Sequence, residues 1–355
     1  MGKILIKNGR VWDGEKFSFN DILIEDNIVK KIDSNIIEDS AYNYDASGKI
    51  VSSGLVDAHA HILLDPSDEF GFQAEMCCFP FGVTAAADAG RTKGKKEILD
   101  TFMLKNVIFA NVHFKDNKVD YEDLNNTLNR FNDKVVGVKV YYDSTGSEKP
   151  NINLLKEVCE FANKQNLHVM VHCSNSPSSM KEILDALHPG DILTHVYHGG
   201  VNNASIDNFE SVMEAKERGV IMDAGFAGHV HTNFSVLYQA FKNNVFPHTI
   251  STDITKFSAF TRGGRYGMTM CMSIALDTGM KEEEIFKAIT SSPAKALGKE
   301  NEWGYLKEGR IADIAVFDYT NEPYSLTDNE GNHIENDSGY RCVLTISNGQ
   351  IVYRY

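Results

Sequence analysis

The feature that most constrains this chain is an alternation running from residue 55 to residue 253. Eight short apolar runs, at residues 55–61, 82–88, 107–112, 135–141, 167–172, 191–196, 219–223 and 248–253, are separated by stretches with helical spacing. Leu154, Leu155, Val158, Phe161 and Ala162 fall on one helical face. Met180, Ile183, Leu184 and Leu187 run up to a Pro189-Gly190 stop. Strand then helix, repeated eight times, predicts an α/β fold, a (β/α)8 TIM-type barrel. A doubly wound open sheet is the alternative, but no Gly-x-Gly-x-x-Gly follows the first run.

The two ends have a different texture. Ile4-Leu5-Ile6, Arg10-Val11-Trp12 and Asp21-Ile22-Leu23-Ile24-Glu25 are β-rich runs, each followed by a turn dipeptide: Asn8-Gly9, Asp13-Gly14 and Asp26-Asn27. The C-terminal runs Ala312-Asp313-Ile314-Ala315-Val316-Phe317 and Val343-Leu344-Thr345-Ile346, the latter before Asn348-Gly349, match them. The expected organisation is a small β-sandwich domain from both termini (1–51 and 300–355) around a barrel at 52–299. The polar stretch 321–340 reads as an exposed loop.

A chain of 355 residues is too long for one small core and suits such a barrel. Apolar residues at 42% with 24% charged describe an ordinary globular protein. A net charge of −14 argues against nucleic acid and anionic membrane as partners. The one basic cluster, Lys93, Lys95 and Lys96, reads as a solvated helix start. Six cysteines without a Cys-x-x-Cys pair predict a reducing, cytoplasmic setting rather than a disulfide framework. The first apolar run is too short for a signal peptide, and no segment is apolar enough to span a membrane.

In a barrel of this kind the chemistry sits at the C-terminal ends of the strands. The first run ends in His59-Ala60-His61, whose two imidazoles would share one strand face and form a ready pair of metal ligands. Lys139 lies inside the fourth run, facing away from Val138 and Val140, where it must reach solvent or find a partner. His172, His195 and Asp253 end the fifth, sixth and eighth runs. Each has an ordinary alternative: a hydrogen-bonded structural histidine, a helix-capping aspartate, a lysine reaching out of the barrel mouth. One metal centre accounts for all of them together.

Asp57-Ala58-His59-Ala60-His61, followed in order by Lys139, His172, His195 and Asp253, resembles the binuclear amidohydrolase superfamily. The late Gly309-Arg310-Ile311-Ala312-Asp313-Ile314 fits it too, and the resemblance covers essentially the whole chain. Phe81-Gly82-Val83-Thr84, Asp88-Ala89-Gly90, His172-Cys173-Ser174-Asn175, Leu193-Thr194-His195 and Ile250-Ser251-Thr252-Asp253 look closer still to its deacetylase branch, which acts on O-acetyl α-hydroxy acids and N-acyl amino acids. The resemblance implies two divalent metal ions, with Zn²⁺ expected. His59 and His61 would bind the first, His172 and His195 the second, and an N-carboxylated Lys139 would bridge them. Asp253 would ligate the first metal and serve as general base and acid. A hydroxide shared by the metals would cleave an ester or amide of a small carboxylate-bearing compound. Homo-oligomers are common in this superfamily, and one is possible here by analogy.

Substrate contacts are sought in the loops. Dihydroorotases typically carry an arginine two residues after the second histidine; here that position is Leu63, which counts against the cyclic-amide branch. Arg91, Arg262 and Arg265 follow strands two and eight and suit carboxylate recognition. Tyr142, His198, His229 and His231 are further pocket candidates. Cys78 and Cys173, near strand ends, read as small pocket-lining residues rather than nucleophiles. The alternatives are a cyclic amidohydrolase of dihydroorotase or hydantoinase type, and a non-catalytic protein of the same fold.

Overall fold

The computed structural model describes residues 2–62, 73–90, 95–146, 148–228, 230–260 and 266–355. Its centre is a curled sheet of seven parallel strands: β1 (Leu55–Ala60), β2 (Val83–Asp88), β3 (Lys105–Val112), β4 (Val135–Tyr141), β5 (His168–His172), β6 (Ile192–Thr194) and β7 (Ile221–Asp223). Each pairs with the next in chain order. Every residue of β1 and β2 is buried, as a sheet covered on both faces requires. The helix Ile152–Lys164 starts where Asn151 accepts hydrogen bonds from the Asn153 and Leu154 amides, and it buries Leu154, Leu155, Val158, Cys159 and Ala162 against the sheet. The helix Met180–Ala186 begins at a reciprocal Ser179–Glu182 capping box.

The eighth run corrects the sequence expectation. Residues 248–254 form no ladder strand; they span the gap between β7 and β1 through the isolated bridges Asp223 to Thr249 and Ala60 to Ile254. The Asp253 N–H donates to the His59 carbonyl (2.7 Å) and the His61 N–H to the Ile254 carbonyl (2.9 Å). The cause lies in the side chains. Thr249 and Ser251 give their hydroxyls to Asp223, and Thr252 gives its own to Asp57. Asp253 then turns into left-handed backbone (φ 45°), which no strand repeat tolerates.

The two chain ends meet in one eight-stranded sheet. Its path runs Gln350–Arg354, Gly339–Ser347, Ile314–Thr320, Ile50–Ser53, Ile4–Trp12, Phe17–Glu25 and Ile28–Asp33, with Tyr42–Asp45 beside Ile4–Trp12. The connected path is a single sheet where the sequence suggested a sandwich. Ile50–Ser53 is the hinge of the arrangement, parallel to Ile4–Trp12 and antiparallel to Ile314–Thr320. Ile6, Val11, Ile22, Val51, Val316 and Leu344 are buried between the ends. Asp26-Asn27 and Asn348-Gly349 turn with both residues at positive φ, the backbone that joins tight hairpins.

The polar stretch read as an exposed loop is also corrected. Tyr324–Thr327 and His333–Asn336 pair as an antiparallel hairpin, with Leu326 and Ile334 facing each other and buried. Its turn is tied to the barrel: the Phe234 N–H donates to Asp328 Oδ2 (2.9 Å) and the Asn329 N–H to the Thr232 carbonyl (3.0 Å). No helix among the described residues is long and apolar enough to cross a membrane.

Candidate metal centre

The ends of the barrel strands bring the expected polar residues together. His59, His61, Lys139, His172, His195 and Asp253 are all buried, none more than 9% exposed. Their donor atoms sort into two clusters that could each hold a cation: His59 with His61 and Asp253, and His172 with His195 and His231, the atoms of each within 4.8 Å of one another. Lys139 Nζ stands 3.1 Å from His59 Nε2. Asp253 Oδ1 lies 2.9 Å from His61 Nε2 and 3.4 Å from His59 Nε2, and its Oδ2 lies 3.8 Å from His195 Nε2.

The backbone makes room for this. Gly90 has φ 98°, and a Cβ there would stand 2.7 Å from Lys139 Cβ, so the lysine stem passes where only glycine leaves space. His195 sits at φ 64° immediately after β6 ends, a left-handed turn like that of Asp253. At both positions the left-handed backbone sets the side chain at an angle that a strand ladder would not give.

Three ring tautomers follow from the outer partners. Thr194 Oγ1 donates to Asp223 Oδ2 (2.7 Å), so it accepts from His59 Nδ1–H (2.9 Å) and leaves the His59 Nε2 lone pair facing Lys139 and Asp253. His195 Nδ1–H donates to the Gly225 carbonyl (2.7 Å). Its Nε2 is buried and has no hydrogen-bond partner among the described residues. Ser174 donates to Asp143 Oδ2 (3.1 Å) and therefore accepts from His172 Nε2–H (2.7 Å), leaving Nδ1 basic. Carbonyl and hydroxyl partners behind each ring, with lone pairs in front, are what a metal site needs. The buried, unpartnered His195 Nε2 is the observation that fits a cation best.

Electrostatics agree. Burial lowers the pKa of His59, of His172 (to about 3), of His195 and of His231, which favours the neutral ring that a metal ligand needs. Burial also pulls Lys139 down to about 8, against the pull of Asp253 and Asp223. For Asp253, burial acts upwards, but His59 and His61 outweigh it and hold the carboxyl well below its usual range. Asp57, behind His59, is pushed up to about 7 by burial although Thr252 and the His59 amide hydrogen-bond to it.

A model of the amidohydrolase family matches residues 50–352 of the chain. The chain belongs to the amidohydrolase family. This amidohydrolase is 27% identical over 375 aligned positions to a deacetylase of Enterococcus faecalis, with 98% of each chain covered. It is 27% identical over 310 positions to a deacetylase of Agrobacterium fabrum, covering 81% of this chain and 75% of that one. It shares its fold with the crystal structure of a dihydroorotase at a TM-score of 0.86 and 24% identity, covering 99% and 98% of the two chains. The amidohydrolase is an enzyme, a hydrolase.

Other expected contacts of the amidohydrolase fare differently. Tyr142 is fully buried with its hydroxyl paired to Ser178 (2.6 Å). His198 uses both ring nitrogens inside its own loop, accepting from the Gly200 N–H and bonding the Asn202 carbonyl. Both side chains are thus held by hydrogen bonds within the protein. Arg91, His229, Arg262, Arg265 and Leu63 lie outside the described residues. Cys78 and Cys173 are buried thiols, Cys173 pushed up to about 12 by that burial, which suits lining residues and not nucleophiles. Sequence reasoning missed Asp143, Ser174, Thr194 and Asp223. A signal was available for one pair, since Thr194 and Asp223 end neighbouring strands in register.

Proposed function

We propose that this amidohydrolase uses two divalent metal ions to hydrolyse the ester or amide bond of a small carboxylate-bearing compound, an O-acetyl α-hydroxy acid or an N-acyl amino acid. The observation that carries the reading is the pair of donor clusters with Lys139 beside them. His59, His61 and Asp253 would hold the first ion, and His172 and His195 the second. Zn²⁺ suits this imidazole and carboxylate set. Bound ions would supply Lewis acidity, activating a water and polarising the scissile carbonyl.

The chain's own groups would do the rest. Lys139, drawn down to about 8, is roughly one-tenth neutral at pH 7, and a neutral amine can add CO₂, releasing a proton, to become a carbamate that would span two cations. The ionised Asp253 would accept the proton of the attacking water and return it to the leaving oxygen or nitrogen. Thr194 and Ser174 would hold His59 and His172 in the tautomers that leave a lone pair free.

The terminal sheet (1–51 and 300–355) is proposed as a unit distinct from the barrel (52–299). The six free cysteines support a reducing, cytoplasmic setting. The test is a metal-loaded screen of N-acyl amino acids of both hands, O-acetyl hydroxy acids and cyclic imides. Turnover of the acyl compounds supports the reading; a preference for cyclic imides overturns it in favour of dihydroorotase-type chemistry.

A further inference from the structure

Two observations outside the expected ligand set converge on one residue. The first is His231, which follows β7 by eight residues (223 to 231) and lies in a turn. Its ring centroid is 4.1 Å from that of His195 and 4.9 Å from that of His172. Its donor atom joins theirs within 4.8 Å. The second is the C-terminal hairpin, whose turn grips the residues directly after His231. Thr232 is fully buried, gives its hydroxyl to the Phe226 (2.8 Å) and Gly228 (3.0 Å) carbonyls, and accepts at its own carbonyl from the Asn329 N–H. Asn233 donates to the Tyr197 carbonyl from its backbone (2.9 Å) and to Asn329 Oδ1 from its side chain (3.2 Å). Asp328, 3% exposed, accepts from the Phe234, Glu330 and Asn332 amides.

We propose that His231 is a third imidazole donor at the second metal position, set there by the hairpin turn at residues 328–332. This rests on the binuclear reading above. The His195 and His231 rings, 35° apart in plane, gain some attraction from their contact, but that contact does not require one nitrogen from each of three rings to gather within 4.8 Å; a cation among them accounts for it. In the first cluster Asp253 provides charge; among the described residues the second cluster offers imidazole nitrogens only, beside the anionic oxygen that the proposed Lys139 carbamate would share between the two positions. A loop-borne ligand needs its loop fixed, because a mobile imidazole loses ordering entropy each time it binds. The hairpin meets that need from the far end of the sequence.

The test measures metal retention in the holoenzyme. Wild type, His231→Ala, Asp328→Ala and the exposed hairpin control His333→Gln are dialysed against a weak chelator, and bound Zn²⁺ is counted with time. Wild type should hold two equivalents. His231→Ala should keep one and lose the other at least about tenfold faster, Asp328→Ala should shift the same way by less, and His333→Gln should match wild type. Equal retention of both equivalents by His231→Ala and wild type would overturn the role of His231 while leaving the binuclear reading intact. Fewer than two equivalents in wild type would overturn both. A second measurement needs no variant: wild type labelled with ¹⁵N in its histidine rings is titrated with Zn²⁺. A ring nitrogen of His231 should shift together with those of His172 and His195, and an unmoved His231 signal rejects the proposal.

Discussion

The two donor clusters are built from different materials. The first mixes two imidazoles with a carboxylate, and the second is imidazole throughout. His59 rides on β1, with His61 directly after it, and Asp253 reaches them from the bridging segment, hydrogen-bonded backbone to backbone across the closure. His172 ends β5, His195 stands one residue past β6, and His231 hangs on a distant turn. The contrast suggests a division of labour: the first position carries a group that can move a proton, the second carries only donors. Where a strand does not fix a ligand, hydrogen bonds from another part of the chain do.

The sharpest way to break that comparison is Asp253→Asn. It should lower turnover by about 10²–10⁴-fold, the weight of a general acid–base group, while the second position keeps its metal. An unchanged rate would leave the first cluster no different in kind from the second.

A paired experiment separates the outer partners. Thr194→Val removes the hydroxyl between His59 and Asp223, and Ser174→Ala removes that between His172 and Asp143. Each should weaken metal affinity about 10–100-fold at its own position only, seen as a loss of one equivalent in a chelator competition. Loss at both positions from either change would mean that the clusters do not act separately.

The smallest effect concerns the segment that closes the barrel and carries Asp253. Its first residue, His248, accepts from the Met222 N–H (3.0 Å), and burial lowers its pKa to about 4. The folded protein resists protonation there while the unfolded chain, with an ordinary histidine pKa near 6.5, does not. The resulting stability is fully present above about pH 6.5 and is lost as pH falls towards 4. Urea unfolding of His248→Gln should show a pH dependence over that window flatter by about 1 kcal/mol than wild type. Identical slopes would contradict it.

Much of the barrel was legible because short continuous apolar runs and strand-to-helix alternation report on the same thing, a sheet covered on both sides. His59, His172 and Lys139 are carried on that signal. His195 and Asp253 were legible by position, although the backbone turns left-handed at both, which no periodicity reveals. The hairpin was hidden because Leu326 and Ile334 are a thin apolar face among charged and polar neighbours, and its docking at Phe234 spans 94 positions. Thr194 and Ser174 were hidden for another reason: a single hydroxyl is common anywhere, and only register and distance make it a partner.

The central claim is a two-metal centre joined through Lys139, and counting metal tests it most directly. Purified wild type and Lys139→Ala, loaded with Zn²⁺ and freed of excess, are compared for equivalents bound per chain. The account predicts two for wild type and at most one for Lys139→Ala, with a short-chain carboxylic acid restoring part of the second. Two tightly held equivalents in Lys139→Ala, without any added acid, would contradict it.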